Sequence, residues 1–126
     1  MKTKIGYEIK YAFQKMTTQI VINKTHGGFH LTDEAIATYA HRKMKVIIKI
    51  GKSHYFDGIK DSDHHFNPRC IPRDDPDLIQ TVLILNTRFS TKLPNLKIVE
   101  IPSDVNWVIE DYDGVEWVAE VHRRWD

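Results

Sequence analysis

Lys24, His26, Gly27, Gly28 and Phe29 lie between an apolar β-branched run, Ile20-Val21-Ile22, and a helix-start signature at Thr32-Asp33-Glu34. A strand that stops at two glycines and resumes as a capped helix aims backbone N–H groups and a helix N-terminus at one region of space. That region favours a phosphate or carboxylate. Lys24 and His26 could assist, and Arg73, just before the second helix signature, could close over the anion as a guanidinium clamp. The spacing matches neither a Walker loop nor a dinucleotide fingerprint, and the same glycines would equally serve a plain tight βα turn.

Other groups could carry chemistry if the fold gathered them. His54, His64 and His65 share a loop with Asp57, Asp61 and Asp63, a composition rich in ligands for zinc. No pair there has helical spacing and adjacent histidines diverge, so a solvated loop is the reading adopted, with no metal and no cofactor expected. Arg69, Arg73, Asp74 and Asp75, or Glu116, His122, Arg123 and Trp125, could form an acid, a base or an anion clamp, and equally could be surface ion pairs. A hydrolase using His26 or His122 with Asp74 is the third-ranked reading. No complete catalytic signature exists, so no catalytic residue is assigned. Cys70 reads as a filler rather than a nucleophile.

The elements that position these residues follow from local rules. Ile20-Val21-Ile22, with no polar alternation, fits a strand buried on both faces, central in a sheet. Thr32 is a natural N-cap, Asp33 and Glu34 suit the positive helix end, and Leu31 can staple onto Ile36. Ile36, Tyr39, Ala40 and Lys43 share a face of that helix. Val46-Ile47-Ile48-Lys49-Ile50 is a second strand, so strand, helix and strand fit a right-handed βαβ unit. Gly51 to Arg73 is punctuated by turn residues and reads as a long loop or a short hairpin. Asp75-Pro76-Asp77 starts a second helix, with Leu78, Val82, Leu85 and Phe89 as its buried stripe. Leu96 to Ile101, between Pro94 and Pro102, is a third strand near the sheet edge.

Asp113-Gly114, between Trp107–Tyr112 and Val115–Val121, signals a β-hairpin. A two-residue turn sets Tyr112 opposite Val115, turns Val108, Tyr112, Val115, Trp117, Ala119 and Val121 to one face expected to be core, and places Asp111 opposite Glu116. That like-charge pair is unfavourable, so a longer loop stays open as an alternative. The fold expected is α/β or α+β in one domain over residues 16–126. It would hold a mixed sheet of about five strands, two main helices and a C-terminal β-hairpin. Residues 1–15, with alternating Tyr7, Ile9, Tyr11 and Phe13, read as an extension or edge arm.

The chain has 126 residues, 41% hydrophobic content and one cysteine, which is enough for one core and excludes an internal disulfide. Its apolar runs are too short to cross a bilayer, and no signal-peptide block opens it, so neither a membrane nor secretion is expected. The net charge of +1 divides unevenly: residues 1–60 carry 11 Lys/Arg against 4 Asp/Glu, and residues 61–126 carry 7 against 13. Such a division could steer a charged partner or favour contacts between copies, making a homo-oligomer an open expectation, or the halves could interleave and neutralise. Nucleic-acid binding is poorly supported, because Arg42, Lys43, Lys45, Lys49 and Lys52 lack interleaved aromatics.

Four motifs in order carry a resemblance. They are Ile20-Val21-Ile22-Asn23 with Gly27-Gly28-Phe29-His30-Leu31; Ile71-Pro72-Arg73-Asp74-Asp75-Pro76-Asp77-Leu78; Leu96 to Pro102; and Glu110 to Glu120 with a closing His122-Arg123-Arg124-Trp125. Over residues 16–126 the chain resembles a family of small, uncharacterised phage and prophage proteins. Residues 1–15 depart from that pattern, which starts almost at the first strand. The resemblance implies residence in the host cytoplasm and a use such as interference with a bacterial defence pathway. The leading expectation is therefore a binding protein for an anionic metabolite or nucleotide, held by Lys24, His26, Gly27, Gly28, Phe29, Thr32 and Arg73. The alternative is a protein-interaction module that meets a host protein through the acidic hairpin (Glu110, Asp111, Asp113, Glu116), the Tyr7 to Phe13 arm and Trp125.

Overall fold

The computed structural model describes residues 17–121. In chain order these form β1 (Thr17–Asn23), α1 (Asp33–Lys43), β2 (Ile47–Ile50), β3 (Ser53–Phe56), β4 (His65–Phe66), a 3₁₀ turn at Pro68–Cys70, α2 (Pro76–Leu85), a 3₁₀ turn at Phe89–Thr91, β5 (Leu96–Pro102), β6 (Trp107–Tyr112) and β7 (Val115–Glu120). The strands make three small antiparallel sheets, β1-β5, β2-β3-β4 and β6-β7. The architecture is a mixed α+β chain with two α-helices and the C-terminal hairpin.

The helix starts follow the local signals. The Thr32 hydroxyl accepts from Ala35 N–H at 3.1 Å, and the Asp75 carboxylate accepts from Asp77 N–H at 2.8 Å with Pro76 at the first helical position. Each cap satisfies an N–H that the helix itself leaves open, a contribution of about 1 kcal/mol. Ile36, Tyr39 and Ala40 of α1 and Leu78, Val82 and Leu85 of α2 are buried. Phe89 departs from the expected stripe: α2 ends at Leu85, and Phe89 stands 90% exposed in the following 3₁₀ turn.

The strand pairing corrects the expected βαβ unit and the single five-stranded mixed sheet. β1 pairs with β5, Ile20 opposite Val99, and β2 turns back onto β3, Ile47 opposite Phe56. Met44 adopts a left-handed conformation at the end of α1, and its N–H bonds His41 O, so the chain turns sharply into β2 rather than running back beside β1. β2 then finds its ladder partner locally, through the Gly51-Lys52 turn. Of the two readings of Gly51 to Arg73, the hairpin holds, with β3 and β4 paired through His54 and Phe66.

β1 is buried on both faces as its composition requires: Ile20, Val21 and Ile22 are each at most 2% exposed. Its second edge is closed by the segment before α2, where Val21 N–H donates to Arg73 O at 2.8 Å, rather than by another strand. The core spans β1, β5, both helices and β4, with Phe29, Leu31 and Leu93 filling from loops. Among the described residues no helix is long and apolar enough to cross a membrane.

The hairpin turn is the two-residue form, with Tyr112 opposite Val115 and Asp111 opposite Glu116. The face expected to be core is only partly covered, with Val115 and Ala119 half-buried, and the fully buried side chain lies on the opposite face. Glu116 is 8% exposed, whereas Tyr112 is 76%, Val121 47%, Trp117 42% and Val108 41%. A ribbon with apolar residues on both faces has no hydrophobic preference strong enough to orient it. The deciding contact is polar, because Glu116 must reach Arg73.

Candidate functional site

The Gly27-Gly28 turn is covered by the tip of the chain's own hairpin. Gly27 and Gly28 both have positive φ, and a Cβ on Gly114 would stand 2.8 Å from Gly27 N and 3.1 Å from Gly28 Cα. Only glycine lets two backbones approach this closely. Asn23, fully buried, fixes the approach: its amide donates to Gly114 O at 2.8 Å and to Thr25 O, while its own N–H donates to Glu116 Oε1 at 2.7 Å.

The Arg73 clamp has closed on an internal anion. Its guanidinium donates to both Glu116 oxygens at 2.6 and 2.9 Å and lies 3.7 Å over the Phe29 ring. Phe29 is 2% exposed beneath it. His26 Nδ1 sits 3.3 Å from the Asp113 carboxylate, and the Thr32 hydroxyl is spent on its cap. Lys24 remains exposed. Of the seven residues expected to seat an anion, Arg73 lies over Phe29 and pairs with Glu116, and His26 pairs with Asp113, so the hairpin's own carboxylates stand against these two side chains. A free ligand would have to displace the bidentate Arg73–Glu116 pair from a nearly dry site.

The hairpin acids are distributed rather than clustered. Asp113 faces His26, Glu110 Oε2 accepts from Trp117 Nε1 at 3.1 Å, and Asp111 is exposed beside Glu116. Trp125, His122, Arg123 and the Tyr7–Phe13 arm lie outside the described residues. His26 meets Asp113 rather than the Asp74 that a hydrolase reading paired with it. His64 bonds Asp61 at 2.6 Å within its own loop. Among the described residues, no group of three His, Cys, Asp or Glu is arranged to hold a metal ion.

On the other side of the same turn, a cleft of about 280 Å³ opens between Phe29–Leu31, the start of β3, and the β4 to 3₁₀ segment. Lys52, Arg69, His30, His54 and His65 line it together with Phe29 and Phe66, and no carboxylate does. Arg69 is held at the wall by carbonyls alone, donating to Phe29 O and Gly27 O at 3.3 Å each. Its positive charge therefore has no acidic partner among the described residues. Beside the cleft, Asp33 meets His54 at 3.3 Å and Lys49 at 3.0 Å. The Lys49 hydrogen bond chiefly, with His54 adding, holds the Asp33 carboxyl below its ordinary range.

These residues come from three separate segments, so no spacing in the chain joins them. The sequence singled out several of them separately, Phe29 and His30 in the Gly27–Leu31 motif, Lys52 in a basic run, His54 and His65 in the His-rich loop and Arg69 before Arg73, but nothing joined them into one site. Comparison with protein families, with curated proteins and with solved structures finds no match to this chain.

Proposed function

We propose that this chain is a non-catalytic binding protein for a small anionic molecule, a phosphate- or carboxylate-bearing metabolite or nucleotide, seated in the Lys52–Arg69 cleft. The supporting observation is the wall itself: Lys52 and Arg69 stand beside His30, His54 and His65 around one concavity, and although Asp33 at the edge pairs with His54, neither Lys52 nor Arg69 has an acidic partner among the described residues. Such a wall concentrates anions by field and offers charge-assisted donors to phosphate oxygens. On the phage resemblance, the use would be to withhold a nucleotide signal from a host defence pathway, in the host cytoplasm.

The test is calorimetric titration with AMP, inorganic pyrophosphate and adenosine. AMP or pyrophosphate should bind, adenosine should not, and Lys52→Glu should weaken anion binding about ten-fold at low salt. Absence of heat for both anions at millimolar concentration would remove the reading.

A second reading is favoured by the outward hairpin face. Tyr112, Trp117 and Val108 expose apolar surface beside Glu110, with Asp113 at the turn, which suits a partner protein with a basic, partly apolar face. This keeps the acidic hairpin as the contact element for a host protein. Crosslinking mapped to β6 and β7 would support it, and a partner captured equally by a Tyr112→Ser, Trp117→Ser double variant would oppose it.

A further inference from the structure

We infer that a second concavity, on the other side of β4, is a binding site for a small amphiphile carrying one anionic group on an apolar body. This inference does not depend on the cationic cleft. The groove holds about 310 Å³ and draws its wall from both helical and strand layers: Tyr39 of α1, Ile47 of β2, Phe56 of β3, Phe66 of β4 and Ile71 beyond the 3₁₀ turn. That volume and lining fall at the small-molecule end of natural ligand sites, in which apolar walls carry a few placed polar groups.

The wall is held in place before any ligand arrives. The Tyr39 and Phe66 rings stack with centroids 6.2 Å apart, and Phe56 meets Phe66 edge-on at 5.6 Å. Tyr39 is further pinned by its hydroxyl, which donates to Asp75 at 2.9 Å. Preorganised rings lose little freedom on binding, so apolar contact is converted to affinity with a small ordering cost.

Charge at the rim selects among apolar ligands. Lys43 lines the groove, but its ammonium is matched by Asp75 at 3.0 Å and Asp77 at 3.1 Å. Lys45 lines it too, is exposed, and forms no ion pair with any described residue. Asn67 and His65 complete the polar edge, and no carboxylate belongs to the lining. A buried apolar body with its anion beside Lys45 matches this distribution, whereas a cationic amphiphile would meet like charge.

The experiment titrates 1-naphthaleneacetate and its uncharged analogue 2-(1-naphthyl)ethanol into the whole chain, following isoleucine methyl resonances. Saturable shifts at Ile47 and Ile71 are expected for both, with the acid binding about two- to five-fold tighter at low salt, the worth of one exposed ion pair. Lys45→Glu, a surface change, should abolish the preference for the acid and leave the alcohol unaffected. No saturable shift at Ile47 and Ile71 would overturn the site. Equal affinity for acid and alcohol, or a preference that survives Lys45→Glu, would overturn the assigned ligand class. The cationic cleft shares His65, Phe66 and Asn67 with this groove, so AMP binding there is read separately through His54 and Lys52, which line only the cleft.

Discussion

Glu116 and Arg73, 43 residues apart, form a two-point pair in which each side chain is nearly dry, 10% and 13% exposed. Together they tie the hairpin to the edge of β1, because Glu116 also accepts from Asn23 N–H and Arg73 also donates to Val21 O. Removing one partner leaves a buried charge without its counterion. Glu116→Ala is therefore expected to lower unfolding free energy by about 3 kcal/mol, whereas the double change Arg73→Met, Glu116→Leu should recover most of that loss. Urea titration of the four-member cycle measures both, and a single-variant loss under 1 kcal/mol would show that the pair is not the tie.

The Gly114 contact with Gly27 and Gly28 makes a separate demand. A methyl group there must enter the space of the Gly28 backbone at a φ of +86°. Gly114→Ala should cost about 2 kcal/mol through steric displacement and left-handed strain. Thermal unfolding checks the loss, and amide exchange should show it concentrated at β6, β7 and residues 24–29.

The exposed side chains of the hairpin predict tolerance where the alternating pattern predicted a core. Tyr112→Ser removes a ring that is 76% exposed and should change stability by no more than about 0.5 kcal/mol. A loss of about 3 kcal/mol, the value of a buried aromatic, would mean that this face is covered after all.

Asp75 gives the chain an acid-sensitive joint between the helices. Burial acts to raise its pKa, but hydrogen bonds from Lys43, Tyr39 and Asp77 N–H outweigh that effect and hold the carboxyl below its ordinary 3.8. The phenol of Tyr39 moves the other way, pushed up to about 12 by burial and by its bond to the same carboxylate. A lowered folded-state carboxyl pKa contributes stability above the unfolded value, and that contribution is lost as pH falls through the folded one. Stability should thus decline below about pH 4, and Asp75→Asn should flatten that decline. Urea midpoints for both proteins at pH 7 and pH 3 decide it; parallel declines would assign the acid sensitivity elsewhere.

What the chain determined alone is local. Thr32, Asp75-Pro76 and Asp113-Gly114 act within three or four residues, so two helix starts and a β-hairpin are legible, as is the full burial of Ile20-Val21-Ile22, while the two-residue length of the turn came only with the strand register. Strand partners were not legible: β1 and β2 satisfy the same β-branched pattern whether they pair with each other or with β5 and β3. Nor was the orientation of β6 and β7, where Ile109 and Val118 on one face rival Val108 and Trp117 on the other. That choice rests on Glu116 finding Arg73, a contact between distant segments that no periodicity encodes. The same holds for both concavities, whose walls join helix, strand and loop only once the antiparallel pairings have brought them together.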